Sequence, residues 1–351
     1  MRISMSVRPV RFLRNSCLLA LPLLALPLLC SAQSYTVTDL GTLGGTEAVA
    51  TAINASGQIT GGSTNASGAY HAFLYSNGTM TDLGTLGGPS SQGQGINKTG
   101  EIAGYAQLPP TTTAGYPPRP ASFYSAFYTV SGKETAIGQT GGVAYAINDS
   151  GQIVAVEPTG AVLYTNGVGT NLGNLGSPDG TEATGINDLG EVVGYSFLTN
   201  GNFRGFYWIN GTMTEMGTLG GDWSQAYAVN ESGQITGTAY TAGNAANHAF
   251  LYTSGTMKDI GTLSGGTISV GTAVNTSGTV VGYAEAASSS ETLVYHAFIY
   301  SGSKMQDLNS LISANSGWVL SQANGINDSG QIVGYGIINN LEHAFLLTPV
   351  K

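Results

Sequence analysis

Short apolar stretches recur along this chain in which hydrophobic side chains occupy both alternating faces. In "HAFLY" at 71–75, Phe73 and Tyr75 fall on one face of an extended strand, and Ala72 and Leu74 fall on the other. Such double-sided hydrophobicity is typical of a strand in a sheet that is covered on both sides. Because helix signals are nearly absent, the pattern predicts an all-β protein of short strands packed between neighbours.

Three sequence words recur in fixed order, seven times each. The first word is Asn-x-x-Gly after an apolar residue, and its copies begin at Asn54, Asn97, Asn148, Asn187, Asn230, Asn275 and Asn327. The second word is "HAFLY", with copies at His71, Ser125, Gly160, Arg204, His248, His296 and His343. The third is "DLGTLGG", with copies at Asp39, Asp82, Ala136, Asn171, Glu215, Asp259 and Asp307.

Each repeat has room for four short strands, which we label a to d in chain order. In the first repeat we assign strand a to "AVATAIN", b to "QITGGS", c to "HAFLYS" and d to "TMTDLG". Between a and b, Asn-x-x-Gly favours a type I turn in which the Asn side chain accepts a backbone N–H bond. Between c and d, "NG" at 77–78, 166–167 and 210–211 is the dipeptide of a tight hairpin. Each repeat is therefore predicted to be an antiparallel meander.

Six of the seven Asn-x-x-Gly copies also match the glycosylation sequon Asn-x-Ser/Thr. The copy at Asn187 carries Leu189 and breaks the sequon, yet it keeps both the Asn and the Gly. A turn requirement predicts this exception and a glycan requirement does not, so we interpret all seven Asn residues as structural turn residues.

The two ends of the chain indicate that the repeats close into a ring. The repeats begin with a surplus strand d at "YTVTDLG", while the last repeat ends after strand c at "HAFLLTPVK" and lacks strand d. If residues 35–40 pair beside residues 343–348, the missing strand is supplied and no sheet edge stays open. We therefore predict one domain over residues 33–351, a seven-bladed β-propeller of four-stranded antiparallel blades.

The repeats resemble the HAF-repeat family of bacterial extracellular proteins, on the His-Ala-Phe at His71, His248, His296 and His343 and the companion "DLGTLGG". The resemblance covers nearly all of the chain after the leader. It implies export and a repeat architecture, and it brings no catalytic residues with it. Repeats two to four depart from the His-Ala-Phe word, which puts in doubt any role that needs every copy.

Residues 1–32 have the pattern of an export signal, with four arginines before the apolar run at 17–29 and a small residue, Ala32, at the cleavage edge. We expect a periplasmic or extracellular protein. Both cysteines, Cys17 and Cys30, lie in the leader, so no disulfide is expected. A lipoprotein anchor at Cys30 is disfavoured by the bulky Leu29 before it.

Charge narrows the range of partners. Loss of the four leader arginines leaves seven basic against 20 acidic residues, a formal charge of −13 for residues 33–351. An acidic surface repels phosphate backbones and anionic lipids, so nucleic acid and membrane insertion are disfavoured. We expect a monomer whose partner is a glycan or a protein.

The repeated polar residues do not form an evident catalytic set. The four His open strand c in different blades, too far apart to share one zinc, so we expect no metal and a structural histidine that is hydrogen-bonded between blades. The repeated Asp residues (Asp39, Asp82, Asp259 and Asp307) are expected to accept turn N–H bonds. No cofactor is predicted, since the Gly-rich "GTLGG" is followed by neither Lys nor a helix.

Departures from the repeat are concentrated on one predicted face, which carries the d-to-a and b-to-c loops. The b-to-c insertions at 106–124 and 285–295 lie there, with aromatic and charged candidates for ligand binding. These candidates are Glu47, Tyr116, Arg119, Asp179, Glu182, Asp222 and Trp223. Trp318 is placed on this face too, unless it belongs to the core.

Two functions remain open from the sequence. The preferred one is an exported, non-catalytic binding or scaffold module that holds a glycan or protein on the insertion-bearing face. The alternative is a secreted carbohydrate-active hydrolase or lyase, which would need two carboxylates converging at the channel mouth.

Overall fold

A computed structural model of the chain describes residues 34–109, 123–177, 180–264, 266–286 and 293–350. The described residues form seven four-stranded sheets in which every pairing between strands is antiparallel. The first strands of successive sheets contact one another around a common axis, so strand a is the innermost strand of each blade. The predicted seven-bladed β-propeller is confirmed.

Blades 1 to 4 follow the sequence directly. Blade 1 consists of β2 (Gly44–Ile53), β3 (Ile59–Asn65), β4 (Tyr70–Ser76) and β5 (Thr79–Asp82). Blade 2 consists of β6 (Ser91–Ile96), β7 (Ile102–Gln107), β8 (Tyr124–Val130) and β9 (Lys133–Thr140). Blade 3 consists of β10 (Val143–Ile147), β11 (Ile153–Glu157), β12 (Gly160–Thr165) and β13 (Val168–Asn171). Blade 4 consists of β14 (Thr181–Ile186), β15 (Val192–Phe197), β16 (Phe203–Ile209) and β17 (Thr212–Glu215).

The remaining blades complete the ring. Blade 5 consists of β18 (Gly220–Val229), β19 (Ile235–Thr241), β20 (Asn247–Thr253) and β21 (Thr256–Asp259). Blade 6 consists of β22 (Ser269–Val274), β23 (Val280–Ala286), β24 (Val294–Ser301) and β25 (Lys304–Asp307). Blade 7 consists of β26 (Trp318–Ile326), β27 (Ile332–Ile338), β28 (Leu341–Pro349) and, from the other end of the chain, β1 (Tyr35–Asp39). Two single-turn 3-10 helices lie at Ala242–Asn244 and Leu308–Leu311.

The ring is closed by pairing between the two ends of the repeat region, as predicted. Strand β1 is antiparallel to β28, with Tyr35 opposite Pro349 and Asp39 opposite Phe345. The buried Tyr35 side chain, 4% exposed, packs into the cluster that joins blades 6 and 7. Strand β1 therefore covers the edge that β28 would otherwise leave open.

The core consists of seven hydrophobic clusters that join neighbouring blades. Six blades bury a Phe on strand c opposite a Gly on strand b, as in the Gly104–Phe127 pair of blade 2. A Cβ atom at Gly104 would lie 2.9 Å from Phe127 Cζ and 2.1 Å from the Gln92 carbonyl oxygen. In the divergent blade 3 the same pair is Ala155 and Val162. In blade 3 the strand b residue is larger than the usual Gly, and the strand c residue is smaller than the usual Phe. The two changes in volume offset each other, so the departure from the repeat is compensated within the blade.

The described part of the chain contains no helix with the length and hydrophobicity that a bilayer-spanning segment needs.

Candidate functional site

The two faces of the disc differ in the connections they carry. The a-to-b and c-to-d turns lie on one face, which we call the Asn face after the seven Asn-x-x-Gly turns. The d-to-a and b-to-c connections lie on the other, which we call the insertion face. Residues 106–107 and 124 belong to strands β7 and β8, and 285–286 and 294–295 belong to β23 and β24. Both insertions thus lie between strands b and c, as predicted.

A central channel is shaped by one bulge in the innermost strand of every blade. Each strand a shifts register by one residue three positions before its Asn. A bulge changes the direction of the extra side chain, which here points towards the axis of the ring. The residues so placed are Thr51, Gln94, Tyr145, Thr184, Tyr227, Thr272 and Asn324, and all seven line a cavity of about 480 Å³.

Glu182 and three tyrosines form the most polar part of this channel. Among the described residues that line the cavity, Glu182 is the one carboxylate, and Tyr145, Tyr195 and Tyr227 lie beside it. The Tyr195 hydroxyl is hydrogen-bonded to the Glu182 carboxylate. The Tyr227 hydroxyl donates to Gln225 Oε1 at 2.6 Å. The channel mouth therefore offers one anionic acceptor surrounded by phenolic hydroxyls.

Burial and negative charge keep these phenols protonated. Burial raises the pKa of Tyr195 first, and its hydrogen bond to Glu182 and the charge of that carboxylate raise it further. Burial raises the pKa of Tyr145 and Tyr227 too, with a smaller contribution from Glu182. A neutral phenol has one O–H to donate; those of Tyr195 and Tyr227 are directed to Glu182 and Gln225, and that of Tyr145 can be donated to a ligand oxygen.

An aromatic cluster on the insertion face continues from Tyr195 across blades 4 and 5. The Phe203 ring lies 5.9 Å from Tyr195, 4.8 Å from Phe197 and 5.8 Å from Trp223, between centroids. The Trp223 ring lies 4.5 Å from Tyr240. All five rings are partly exposed to solvent. We call Phe197, Phe203, Trp223 and Tyr240, together with Tyr195 and Glu182, the channel-mouth site.

Polar contacts fix the backbone that presents Trp223. Asn244 Oδ1 accepts the Asp222 N–H at 2.9 Å, and Asn244 Nδ2 donates to Asp222 Oδ2 at 2.6 Å. Arg204 donates to the Asp222 carbonyl oxygen and pairs with Glu215 at 3.0 Å. Asp222 therefore orders the start of β18, and the Trp223 side chain can present its ring face to a ligand.

A second acidic group lies on the opposite side of the ring. Glu342 in blade 7 is close enough to Glu47 in blade 1 for their charges to repel. Burial raises the pKa of Glu342, and the neighbouring Glu47 raises it further. Burial also raises the pKa of Tyr70, with added repulsion from Tyr105 and both carboxylates.

The structure separates the candidate residues predicted from sequence. Trp223, Asp222 and Glu182 lie in adjacent blades 4 and 5, whereas Glu47 lies on blade 1. Tyr116, Arg119 and Asp179 lie outside the described residues, as does the leader with its cysteines. Trp318 is 9% exposed and its ring packs edge-on against Phe345 at 6.1 Å, so it belongs to the core.

Four of these candidates lie in strands and not in loops, which corrects the prediction. Strands β2 and β18 each begin four residues before their regular pairing with the next strand, and they therefore include Glu47, Asp222 and Trp223. Side-chain acceptors replace the missing ladder bonds in these segments: Thr64 Oγ1 accepts the Glu47 N–H at 2.9 Å. Glu182 is the second residue of β14.

The prediction of histidines bonded between blades is wrong. In each case His Nδ1 is hydrogen-bonded to the Asp carboxylate on strand d of its own blade, at 2.7 to 3.0 Å. The reason is register: the Asp at the end of strand d lies opposite the Phe two residues after the His on strand c, so the His and Asp side chains lie on the same face of the blade. The same Asp residues also accept a backbone N–H two residues later, as expected. The pair His343–Asp39 joins the two ends of the chain.

The seven turn Asn residues are buried and connect the blades. Asn54 Oδ1 accepts the N–H groups of Ser56 and Gln58, at 3.1 and 2.9 Å. Its Nδ2 donates to the carbonyl oxygen of Asn97 in the next blade at 2.9 Å. The equivalent Nδ2 bond is present in all seven blades, at 2.7 to 3.4 Å, and the last one runs from Asn327 to Asn54. These bonds form a closed ring on the Asn face.

Sequence reasoning did not find the channel tyrosines or the partners of Trp223. Tyr145 and Tyr227 stand three residues before a turn Asn. The residue at this position differs from repeat to repeat inside a word that is otherwise apolar, and this variation was the available sequence signal for the channel tyrosines. Nothing local in the sequence connects Phe203 or Tyr240 with Trp223, because the Phe203 contact crosses from blade 4 to blade 5 and the Tyr240 contact crosses between neighbouring strands of blade 5.

Comparisons with known proteins support the fold and leave the activity open. Residues 199–344 match the model of a family described as a protein of unknown function, DUF3466. No curated protein matches the sequence at a significant level.

Two solved structures illustrate the similarity of fold. The β-propeller domain of the Trilobed protease from Pyrococcus furiosus is 11% identical, with 91% of this chain and 98% of that one covered and a TM-score of 0.53. That domain is described as having an open velcro topology, whereas β1 and β28 pair here. A puromycin-hydrolyzing peptidase from Mycobacterium tuberculosis is 10% identical, with 87% of this chain and 51% of that one covered and a TM-score of 0.51. At such identities the chain is similar to these proteins in fold alone.

Proposed function

We propose that this propeller is an exported binding module that holds a carbohydrate at the channel-mouth site. The observation that carries the proposal is the unbroken path of partly exposed rings from Tyr240 through Trp223 and Phe203 to Tyr195 and Glu182. Export rests on the leader sequence and on the resemblance described above.

The chemistry of the path suits a sugar chain. The C–H face of a pyranose is apolar and weakly positive, and it stacks on the electron-rich face of an aromatic ring. Sugar hydroxyls then need acceptors and donors nearby: Glu182 and the phenolic oxygens supply acceptors, and the Tyr145 hydroxyl supplies a donor. A row of rings leading to one carboxylate fits several successive sugar units better than a single small molecule.

The test is a glycan and polysaccharide array with the protein spanning residues 33–351, in which soluble sugar products are measured in the same wells. We expect retention of a defined class of glycan with no new reducing ends. Trp223→Leu should abolish retention, and Trp208→Leu should keep it, because Trp208 lies near the c-to-d turn, towards the Asn face. Equal retention by both variants would remove the proposed site.

One observation favours the alternative of a carbohydrate-active hydrolase or lyase. Glu342 and Glu47 are neighbouring carboxylates, and the pKa of Glu342 is raised by burial and by Glu47. Acid and base catalysis of glycoside cleavage uses two carboxyl groups, of which the acid has a raised pKa. Release of sugar products that is lost in Glu342→Gln and kept in Trp223→Leu would favour this function over simple binding.

A further inference from the structure

A second cavity lies on the Asn face, between blades 4 and 5, on the side of the disc away from the channel-mouth site. It has a volume of about 320 Å³ and a largely apolar lining that includes Val193, Ile235, Tyr207 and Tyr252. The two Tyr rings lie side by side on one wall, with centroids 6.2 Å apart and planes tilted by 40°. Ser254 and Gly255, from the c-to-d turn of blade 5, form one end.

The equivalent cleft between blades 5 and 6 holds an ammonium group that the chain itself provides. Lys258 Nζ donates to Tyr300 Oη at 2.8 Å and lies 3.5 Å from Ser303 Oγ. The same nitrogen lies 5.6 Å from the centroid of the Tyr300 ring. Tyr300 and Ser303 thus form the receptor for an alkylammonium side chain.

Strand register shows that the two clefts are equivalent. Lys258 on β21 lies opposite Leu251, and Thr214 on β17 lies opposite Tyr207, at the same position of the hairpin. Tyr300 lies opposite Met305, and Tyr252 lies opposite Met257, again at the same position. Blade 4 therefore carries the short Thr214 where blade 5 carries Lys258, and the cleft between blades 4 and 5 lacks the side chain that occupies its neighbour.

Charge at the open cleft is complementary to a cation. Glu191 lines the cavity, and the residue at the same point of blade 5 is the neutral Gln234. The carboxylates of Glu191, Asp188 and Asp149 repel that of Glu231. The cleft between blades 4 and 5 therefore combines the absence of a lysine with a negative charge.

We propose that the cleft between blades 4 and 5 binds a primary ammonium group on an aliphatic stem, in the position that Lys258 occupies in the next cleft. The stem would lie against the rings of Tyr207 and Tyr252, and the ammonium would meet the Tyr252 hydroxyl and the Glu191 carboxylate. A free alkylamine and the lysine side chain of a peptide share this chemistry.

The proposal is tested by titrating the protein spanning residues 33–351 with n-butylammonium chloride at constant ionic strength, followed by NMR or calorimetry. The uncharged n-butanol serves as the control ligand, and we expect it to bind at least about tenfold more weakly. Nα-acetyl-lysine N-methylamide distinguishes the two sources, since a peptide lysine should bind as tightly as the free amine or more tightly. Weaker binding of the lysine derivative would assign the cleft to free amines.

Three variants make the test specific to this cleft. Thr214→Lys fills the cleft from within, and we expect at least a tenfold loss of affinity. Glu191→Gln, which copies the neutral residue of the neighbouring blade, should weaken n-butylammonium about fivefold or more and leave n-butanol unchanged. Lys258→Ala empties the neighbouring cleft, so a second equivalent of n-butylammonium should bind.

The outcomes that would overturn the proposal are equal binding of n-butylammonium and n-butanol, or unchanged n-butylammonium binding in Thr214→Lys. Should Thr214→Lys fail to fold, unchanged n-butylammonium affinity in Glu191→Gln is sufficient to reject it. None of these variants touches the channel-mouth site, and circular dichroism checks that each variant is folded.

Discussion

At the scale of single residues, an identical tetrapeptide has two different roles in blade 1. Asn-Ala-Ser-Gly occurs at 54–57 and again at 65–68, and in both copies the Asn side chain accepts the N–H groups two and four residues later. Only Asn54 is fully buried and also donates to the next blade. Asn65 is a half-buried residue between strands b and c on the insertion face.

Asn54 and Asn65 allow a matched test of the closed ring of Asn hydrogen bonds on the Asn face. We expect Asn54→Ala to lower the free energy of unfolding by about 2 to 3 kcal/mol, because it leaves buried N–H and carbonyl groups without partners. Asn65→Ala should cost less than about 1 kcal/mol. Urea unfolding followed by circular dichroism measures both, and equal losses would show that the bond between blades contributes nothing.

Glu134 on β9 gives a prediction about pH. Both of its carboxylate oxygens are buried without a hydrogen-bond partner among the described residues. Burial raises its pKa to about 8, and the neighbouring charge of Asp82 raises it further. A carboxyl whose pKa is raised by folding supports stability at pH values below its unfolded pKa near 4.5, and that support is lost as the pH rises through 8.

The variant Glu134→Gln should therefore change how stability depends on pH. Relative to this variant, wild-type protein should lose about 2 kcal/mol of unfolding free energy between about pH 4.5 and pH 8.5. Chemical denaturation at several pH values in that range measures the difference. Parallel pH profiles for the two proteins would contradict the account of Glu134.

At the scale of elements, the sequence predicted the strands, but it did not predict the irregularities of strand a. The repeated words fixed four strands per blade because turn residues and apolar strands alternate at regular spacing. The bulge in strand a and the early start of β2 and β18 depend on where the neighbouring strand offers partners, such as Thr64 Oγ1, and no local pattern encodes that. Consequently the sequence located Trp223 and Glu182 but not the tyrosines and rings around them.

The closing strand β1 can be tested as a separable element. A chain that begins at residue 42 lacks β1, and it loses the buried Tyr35, the His343–Asp39 pair and the ladder along β28. We expect a clear fall in the urea midpoint, because the β28 edge and the cluster shared with blade 6 become exposed. Addition of a peptide of residues 34–41 should restore most of the loss, and a scrambled peptide should not. An unchanged midpoint in the shortened chain would show that β1 does not hold the ring closed.

At the scale of the whole molecule, ring closure places the structural and the variable residues on different surfaces. The Asn turns occupy one face in seven equivalent copies, while the departures from the repeat that carry rings and Glu182 lie around the channel mouth on the other. A rigid ring that presents one irregular site is suited to holding a ligand. The sequence could predict the face, since insertions and divergent loops were visible, but not the site, because its residues converge from separate blades.

The central claim is that the channel-mouth site binds a carbohydrate, and calorimetric titration of the glycan selected on the array tests it most directly. We expect Trp223→Leu to weaken binding at least about tenfold, a loss of about 1.4 kcal/mol or more. Trp208→Leu, with its substitution outside the site, should bind like the wild type. Equal affinity in wild type and Trp223→Leu, with both proteins folded, would contradict the claim.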